Sequence, residues 1–330
     1  MKKDNLFVLG IESTAHTFGA SVIKGKKILS NVRDIFTTEE GGMIPIKVAE
    51  HHVDVCDSII KKALSDANVK ISEIQLISYS ESPGLGHTLR IGAMAARSLA
   101  SINKISIIGV NHCIAHLEIG RMLTGAKDPV FLYASGANTQ IIAFESGRYR
   151  IFGETLDVGI GNFLDQFARF LGFGFPGGPK IYQESLKSKN YIKLPYVVKG
   201  MDVSFGGMLT NLKAKFKQGI PKEDLCYSLQ ETAFAMLIEV SERAMAHCGK
   251  KELLLGGGVA CNIRLQEMAE IMCKERKAKS FVPANEFLVD NAAMIAWQGL
   301  LQYNPKNELK IRDAGINPYT RTDEIEVDWF

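Results

Sequence analysis

The chain has 330 residues, 46% of them apolar and 23% charged, with a formal net charge of +3. That length exceeds what one hydrophobic core usually fills, so two lobes are expected, and the mild, scattered charge neither demands nor excludes a nucleic-acid partner. Six widely spaced cysteines without a C-x-x-C pair, no signal-peptide pattern and no apolar run of membrane-spanning length argue for a cytoplasmic protein with no membrane partner.

Residues 6–11, LFVLGI, and 20–23, ASVI, read as paired strands joined by a polar turn, and a strand over 27–35 completes a meander. From Pro45 to Ala67 the spacing of Val48, Val55, Ile59 and Leu64 predicts an amphipathic helix. IQLISYS is the next strand, the glycine turn of ESPGLGHTLRIG opens a helix, ISIIGV is a further strand and HCIAHLEIGRML a further helix. After Lys127 and Asp128 the opening pattern returns, because PVFLYASGANTQIIAFESGRYRIFGETLD is again strand, glycine-bearing turn, strand, turn and strand. Residues 160–250 are mostly helical, interrupted at 172–179 by GFGFPGGP, whose glycine and proline density marks a loop. ELLLGGGVACNIRLQEMAEIM reads as strand, triple-glycine turn and helix, and Asp290 stands near the start of the last long helix.

Two lobes that each begin with a three-strand meander and continue with alternating helices and strands predict an α/β chain with a two-lobed, duplicated ribonuclease H-like fold. This is the arrangement of actin and sugar kinases, with a ligand in a central cleft. The expected boundaries are 1–128 for the first lobe and 129–304 for the second, with a C-terminal helix over about 305–330 packing back on the first. A single irregular α/β domain is the alternative.

The chemistry-bearing motifs each carry a plainer reading. Ser135, Gly136, Ala137, Asn138 and Thr139 offer backbone N–H groups and hydroxyls between two strands, a geometry that holds phosphate oxygens or simply makes a tight turn. Gly256, Gly257 and Gly258 leave room for a flat purine against the backbone, with Asn262 in reach of it. On a helix, His112 and His116 share a face, which suits one metal ion as well as a satisfied core pair. Cys113 stands where a zinc protease of the H-E-x-x-H type needs its glutamate base, so a metal here acts as a Lewis acid or clamp. Asp165 lies in an apolar-periodic helix near the glycine-rich loop, placed to bind ribose hydroxyls or to sit on the surface. Glu12 ends the first strand, where it faces the ligand or caps the turn through Ser13 and Thr14.

In order along the chain, GIESTAHTFGASV, GMIPIKVAEHH, SPGLGHTLRIG, NHCIAHLEIGR, LYASGANTQ, GFPGGPKI, MDVSFGGMLT, SLQETAFAML, LLGGGVACN and VDNAAMIAWQG resemble the universal tRNA threonylcarbamoyladenosine synthase family. The likeness is to the archaeal and eukaryotic branch, the catalytic subunit of the KEOPS complex, related to bacterial TsaD. The resemblance implies transfer of a threonylcarbamoyl group from threonylcarbamoyl-AMP to N6 of the adenosine 3′ of the anticodon in tRNAs reading ANN codons. Carried over motif by motif, it implies His112, His116, Tyr133 and Asp290 as ligands of one divalent ion, iron or zinc, closing the site from both sides of the cleft. It also implies Glu12, His112 and His116 as catalytic residues. Tyr133, Ala134, Ser135, Gly136 and Ala137 would hold the acyl and phosphate parts, Asp165 the ribose, Gly178 the sugar or base edge and Asn262 the adenine.

Ala137 replaces a usual glycine and Tyr182 a usual glutamate, and Ser82, His87, Val158 and Gly206 also depart from the family pattern. None of these removes a metal ligand. ATP, with magnesium, is the other nucleotide implied. The partners implied are tRNA and the KEOPS subunits, namely a small kinase-like protein, a dimerising subunit and a tRNA-binding subunit. The ending TDEIEVDWF resembles the point where some archaeal relatives continue into a fused kinase. The competing functions are an ATP-dependent phosphotransferase and a nucleotide-switched scaffold on the same fold.

Overall fold

A computed structural model describes residues 3–39, 42–306 and 309–330. The elements run β1 Phe7–Glu12, β2 Thr17–Lys24, β3 Lys27–Ile35, α1 Pro45–Asp66, β4 Leu76–Ser82, α2 Gly86–Asn103, β5 Ser106–Asn111 and α3 His112–Thr124. They continue with β6 Val130–Ala134, β7 Thr139–Glu145, β8 Arg148–Glu154, α4 Ile160–Phe170, α5 Gly178–Ser185, β9 Val198–Lys199, β10 Asp202–Val203, α6 Gly206–Lys217 and α7 Lys222–His247. The last are β11 Glu252–Gly256, α8 Ile263–Glu275, β12 Lys279–Phe281, α9 Asn285–Leu288 and α10 Ala292–Gln302. None of the described helices is long and apolar enough to cross a membrane.

The chain divides into two compact units. The first comprises Met1–Phe36, Met43–Leu123 and Asp290–Phe330, the second Thr37–Gly42 and Thr124–Val289. Each holds a five-stranded sheet, in the orders β3-β2-β1-β4-β5 and β12-β11-β6-β7-β8. In both, the first strand pairs antiparallel with the second and parallel with a later strand that follows a helix. Reversing the second order gives the first, so the meander seen twice in the sequence is a duplicated ribonuclease H-like sheet.

Period-two alternation sorts the first sheet's side chains. Leu9, Ile11, Ile77 and Tyr79 face a core shared with Ile59, Ile60 and Ala63 of α1 and with Ala93, Ala96 and Ala100 of α2. The other face receives α10. A Cβ on Gly10 would lie 2.2 Å from the Ala292 carbonyl oxygen and 2.6 Å from the Ala296 nitrogen, so the helix backbone rests directly on β1. The Ser78 hydroxyl donates to the Ile295 carbonyl at 2.7 Å, fixing the same helix to β4.

This packing moves two expected boundaries. Asp290 and α10, expected in a second lobe spanning 129–304, belong to the first unit, because the small residues Ala292, Ala293 and Ala296 seat α10 on β1. The expected C-terminal α-helix over 305–330 is absent among the described residues, which leave out 307–308. Asn304 precedes Pro305, which disfavours helical backbone at the residue before it. The tail instead forms two short 3-10 turns, Ile311–Asp313 and Thr322–Glu324. It is tied to the first unit by a bridge between Ile107 and Leu309 and by the Tyr79 Oη–H to Gly315 carbonyl bond at 2.8 Å.

In the second unit α7 is buried along most of its length, from Leu225 to Met245, against the sheet face carrying Val130, Leu132 and Ile141. Phe163 of α4 stacks on Phe205 just before α6, with ring centroids 5.3 Å apart. Of the glycine-rich loop, Gly178 is already the first residue of α5 and Pro179 sits in its first turn, where the missing N–H costs no helical bond.

Candidate functional site

The first unit gathers Glu12, His112, His116 and Asp290 at the ends of β1, β5 and the segment leading into α10. Asn111 begins this arrangement. Its Oδ1 accepts the backbone N–H of Cys113 at 3.0 Å and of Ile114 at 3.2 Å, the capping pattern that starts a helix at a chosen residue. His112 is therefore the first residue of α3, and His116 lies one turn on. Their rings meet edge to face with centroids 4.7 Å apart. Asn291 does the same for α10, its Oδ1 accepting the Met294 N–H at 3.1 Å, which leaves Asp290 just outside the helix.

Glu12 is fully buried and takes the turn-capping role through Thr14. Its Oε1 accepts the N–H of Thr14 at 2.7 Å and the Thr14 hydroxyl at 2.5 Å, and its Oε2 lies 3.0 Å from His112 Nδ1. The Thr14 oxygen is also 3.2 Å from Nδ1. A carboxylate only accepts, so Nδ1 carries the hydrogen and the opposite nitrogen, Nε2, is the one left for Asp290's side. The turn is held in place from α2, where Leu85 N–H and the Thr88 hydroxyl donate to the Thr14 carbonyl at 2.8 and 3.2 Å.

Asp290 Oδ1 lies 3.4 Å from His112 Nε2 and 3.3 Å from His116 Nε2, and the three ligand atoms all fall within 4.8 Å of one another. Tetrahedral coordination with bonds of about 2.0–2.1 Å puts neighbouring donors roughly 3.3 Å apart. The two imidazoles and one carboxylate thus fit a divalent first-row ion, and the Glu12 bond to the far nitrogen of His112 is the outer-shell contact that orients a metal-bound imidazole. Among the described residues this is the one such cluster of histidine, cysteine and acidic side chains.

Electrostatics follow the same geometry. Burial alone pulls His112 down, but the Glu12 charge, then the hydrogen bonds to Asp290 and Glu12, win and hold it well above the ordinary histidine value. Burial drives His116 below that value, and the Asp290 hydrogen bond only partly opposes it. Burial pushes Asp290 up, yet its bonds to His112 and His116 hold it well below the usual carboxylate range.

The other predicted positions lie in the second unit. Tyr133 is buried in β6, stacked on Phe131 with centroids 5.6 Å apart. Ala134 ends that strand, and the turn that follows leaves Gly136 and Ala137 exposed. The carbonyls of Ser135 and Gly136 accept the N–H groups of Gly161 and Asn162 at 3.0 and 2.8 Å, and the Thr139 hydroxyl accepts that of Ile160 at 2.8 Å. The turn therefore caps α4. Gly161 permits this approach, since a Cβ there would stand 2.7 Å from the Gly136 Cα.

Asp165 of α4 accepts the Gly177 N–H at 2.7 Å, bringing the glycine-rich loop and Gly178 beside it. It is a carboxylate that starts α5 rather than a free surface charge. Asn262 caps α8 by accepting the Arg264 N–H at 2.9 Å and donates to Gln230 Oε1 at 2.5 Å, which leaves one amide hydrogen for a ligand. Gly257, with φ of 88°, passes under the turn, a Cβ there meeting the Ala134 carbonyl oxygen at 2.4 Å.

The sequence reading leaves out Asn111, Asn291 and Gln230, and it names Thr14 only as a turn residue, without its contact to His112. The two asparagines directly before apolar helical segments are a readable capping signal. Thr14 and Gln230 act through contacts 98 and 32 residues away, which no local pattern carries.

Comparison with known proteins gives a consistent result. Residues 27–297 match the family TsaD: tRNA N6-adenosine threonylcarbamoyltransferase. The chain is 54% identical over 325 residues to the tRNA N6-adenosine threonylcarbamoyltransferase of Thermococcus kodakarensis, covering 98% of this chain and 100% of that protein. A Methanosarcina mazei protein described as a "Probable bifunctional tRNA threonylcarbamoyladenosine biosynthesis protein" is 50% identical over 332 residues, covering 100% of this chain and 60% of that one. Among solved structures, full-length HypF in its phosphate- and nucleotide-bound form matches with a TM-score of 0.63 and 10% identity, over 91% of this chain and 46% of that one, a likeness of fold alone.

Proposed function

The chain belongs to the TsaD family of tRNA N6-adenosine threonylcarbamoyltransferases, and from that membership we propose that its transfer chemistry is organised by Glu12, His112, His116 and Asp290. The reaction moves the threonylcarbamoyl group of threonylcarbamoyl-AMP to N6 of the adenosine 3′ of the anticodon in tRNAs reading ANN codons. An exocyclic adenine amine is a weak nucleophile, whereas the acyl donor is a mixed anhydride and already activated. Orientation and stabilisation of oxyanion charge are then the main tasks.

His112, His116 and Asp290 would hold one divalent ion, iron or zinc, with Tyr133 as the phenolate ligand that the family resemblance assigns. When bound, that ion supplies Lewis-acid stabilisation of negative charge on a phosphate or carbonyl oxygen. Glu12 fixes the His112 tautomer. Ala134, Ser135, Gly136 and Ala137 would border the acyl and phosphate groups, while Asp165 and Gly178 would lie by the sugar and the remaining Asn262 N–H by the adenine. ATP with magnesium would compete for the same turns.

The single observation that carries this reading is the convergence of Asp290 Oδ1 on both histidine Nε2 atoms at 3.3 and 3.4 Å, with Glu12 behind one of them. A phosphotransferase on this fold needs only magnesium and gives that cluster no task, and neither does a nucleotide-switched scaffold. The M. mazei relative, described as bifunctional, extends well beyond the part that matches this chain, which supports a second component working beside this one. The family resemblance would assign that place to a kinase-like subunit, with the dimerising and tRNA-binding subunits of a KEOPS complex in the cytoplasm. The test is incorporation of labelled threonine into tRNA with purified accessory proteins, comparing wild type with His112→Ala. Loss of modification is expected, and full-rate modification by the variant would refute the metal-centred reading.

A further inference from the structure

The histidine helix is gripped from behind. Residues His112 to Gly120 of α3 are all buried, and Glu118 is only 4% exposed although it carries a carboxylate. At about 100° per residue, Glu118 points away from the face shared by His112 and His116. Its two oxygens each accept from Arg121 Nη1 at 3.0 Å, and Oε1 also accepts from the indole N–H of Trp329 at 2.8 Å. The Arg121 guanidinium in turn lies 4.1 Å over the ring of Phe330.

The segment that delivers Trp329 is itself anchored along the first unit. Asn317 N–H donates to the Glu81 carbonyl at 3.0 Å, Gly84 N–H to the Pro318 carbonyl at 3.3 Å, and Thr322 is buried. The tail thus runs past the end of β4 and the start of α2, the same elements that hold the Thr14 turn, before reaching the back of α3. Resting on the metal-site reading above, we propose that Trp329 is a positioning residue, whose bond to Glu118 sets where α3 presents His116 to the ion.

A buried carboxylate that loses a donor draws in water or swings toward solvent. Here Glu118 is two residues beyond a ligand on one short helix, so either response shifts that ligand. Partners bonded directly to a ligand change metal affinity by about 10–100-fold when they are removed, and a contact one step further back acts in the same direction by less.

Trp329→Phe removes the N–H and keeps a ring. Zinc affinity measured by chelator competition should fall severalfold, by less than about tenfold, and the visible spectrum of the cobalt-substituted protein should shift. In the metal-free variant the 15N imidazole resonances of His116 should move while those of His247, in the second unit, stay put. Phe330→Ala, a smaller lesion, should move the same readouts in the same direction by less, which keeps the test open if Trp329→Phe folds poorly. Wild-type zinc affinity together with unmoved His116 resonances in Trp329→Phe would overturn the proposal. If wild type itself takes up no more zinc than a His112→Ala/His116→Ala variant, the metal reading fails separately, and the imidazole spectra alone then decide whether Trp329 positions the helix.

Discussion

Glu12 and His112, a hundred residues apart in sequence, meet at 3.0 Å with both side chains almost wholly out of solvent. One is the last residue of β1 and the other the first of α3, so the two halves of the first unit's sheet converge on this bond. Glu12→Gln keeps the volume but replaces an acceptor by an amide whose NH2 must face either Thr14 or His112. Facing His112, it accepts no hydrogen from Nδ1, and the ring must carry its hydrogen on Nε2 instead. Affinity for zinc, read by chelator competition, should drop by about 10–100-fold, with transferase activity falling alongside. Unchanged affinity would show that the tautomer argument is wrong.

Asn111→Ala removes the acceptor for two N–H groups at the start of α3. A lost cap of this kind costs about 1 kcal/mol, read as a lower denaturant midpoint for the first unit. Asn111→Asp, an equally good cap, should restore the midpoint. If Ala and Asp variants unfold alike, the cap is not what fixes His112 at the helix start.

Two glycines should respond in opposite ways. Gly10→Ala would drive a Cβ to 2.2 Å from the Ala292 carbonyl oxygen and lever α10, and Asp290 with it, off β1. A loss of about 3 kcal/mol or more is expected, since backbone cannot yield as a side chain can. Gly207, near the start of α6, has ordinary φ, and a Cβ added to it would meet nothing within 4 Å. Gly207→Ala should stabilise by about 0.4–1 kcal/mol through the unfolded chain. Thermal unfolding of both variants checks the pair.

His52 makes the first unit acid-sensitive. Burial, then the nearby His51 and His16, lower it from 6.5 to about 4. Between those values the unfolded chain binds a proton that the folded chain refuses, so stability is full above pH 6.5 and declines as pH falls toward 4. The loss from this group is on the order of 3 kcal/mol at most. Denaturant titrations across that range should show a flatter profile for His52→Gln than for wild type, and parallel profiles would remove His52 from the account.

Much of this is legible in the sequence. The strand and turn punctuation around ESTAHT and ASGANT reveals the duplicated sheet because each repeat sets a short polar turn between two apolar runs. His112 and His116 are readable as a pair from helical spacing alone. Asp290's membership of the first unit is not, since it depends on small residues of α10 meeting Gly10 across about 280 positions of chain, a tertiary fact with no local period. The same holds for Asp165, whose engagement with Gly177 needs the loop to fold back. In the tail, Pro305 is a visible helix breaker that periodicity alone does not weigh.

On the function proposed above, His112, His116 and Asp290 bind one ion. X-ray absorption at the metal edge of protein loaded with zinc or iron tests it most directly. One ion per chain is expected, with nitrogen and oxygen neighbours at about 2.0–2.1 Å, an outer-shell pattern from two imidazoles, and loss of that pattern in His112→Ala and His116→Ala. An ion whose spectrum is the same in wild type and both variants would contradict it.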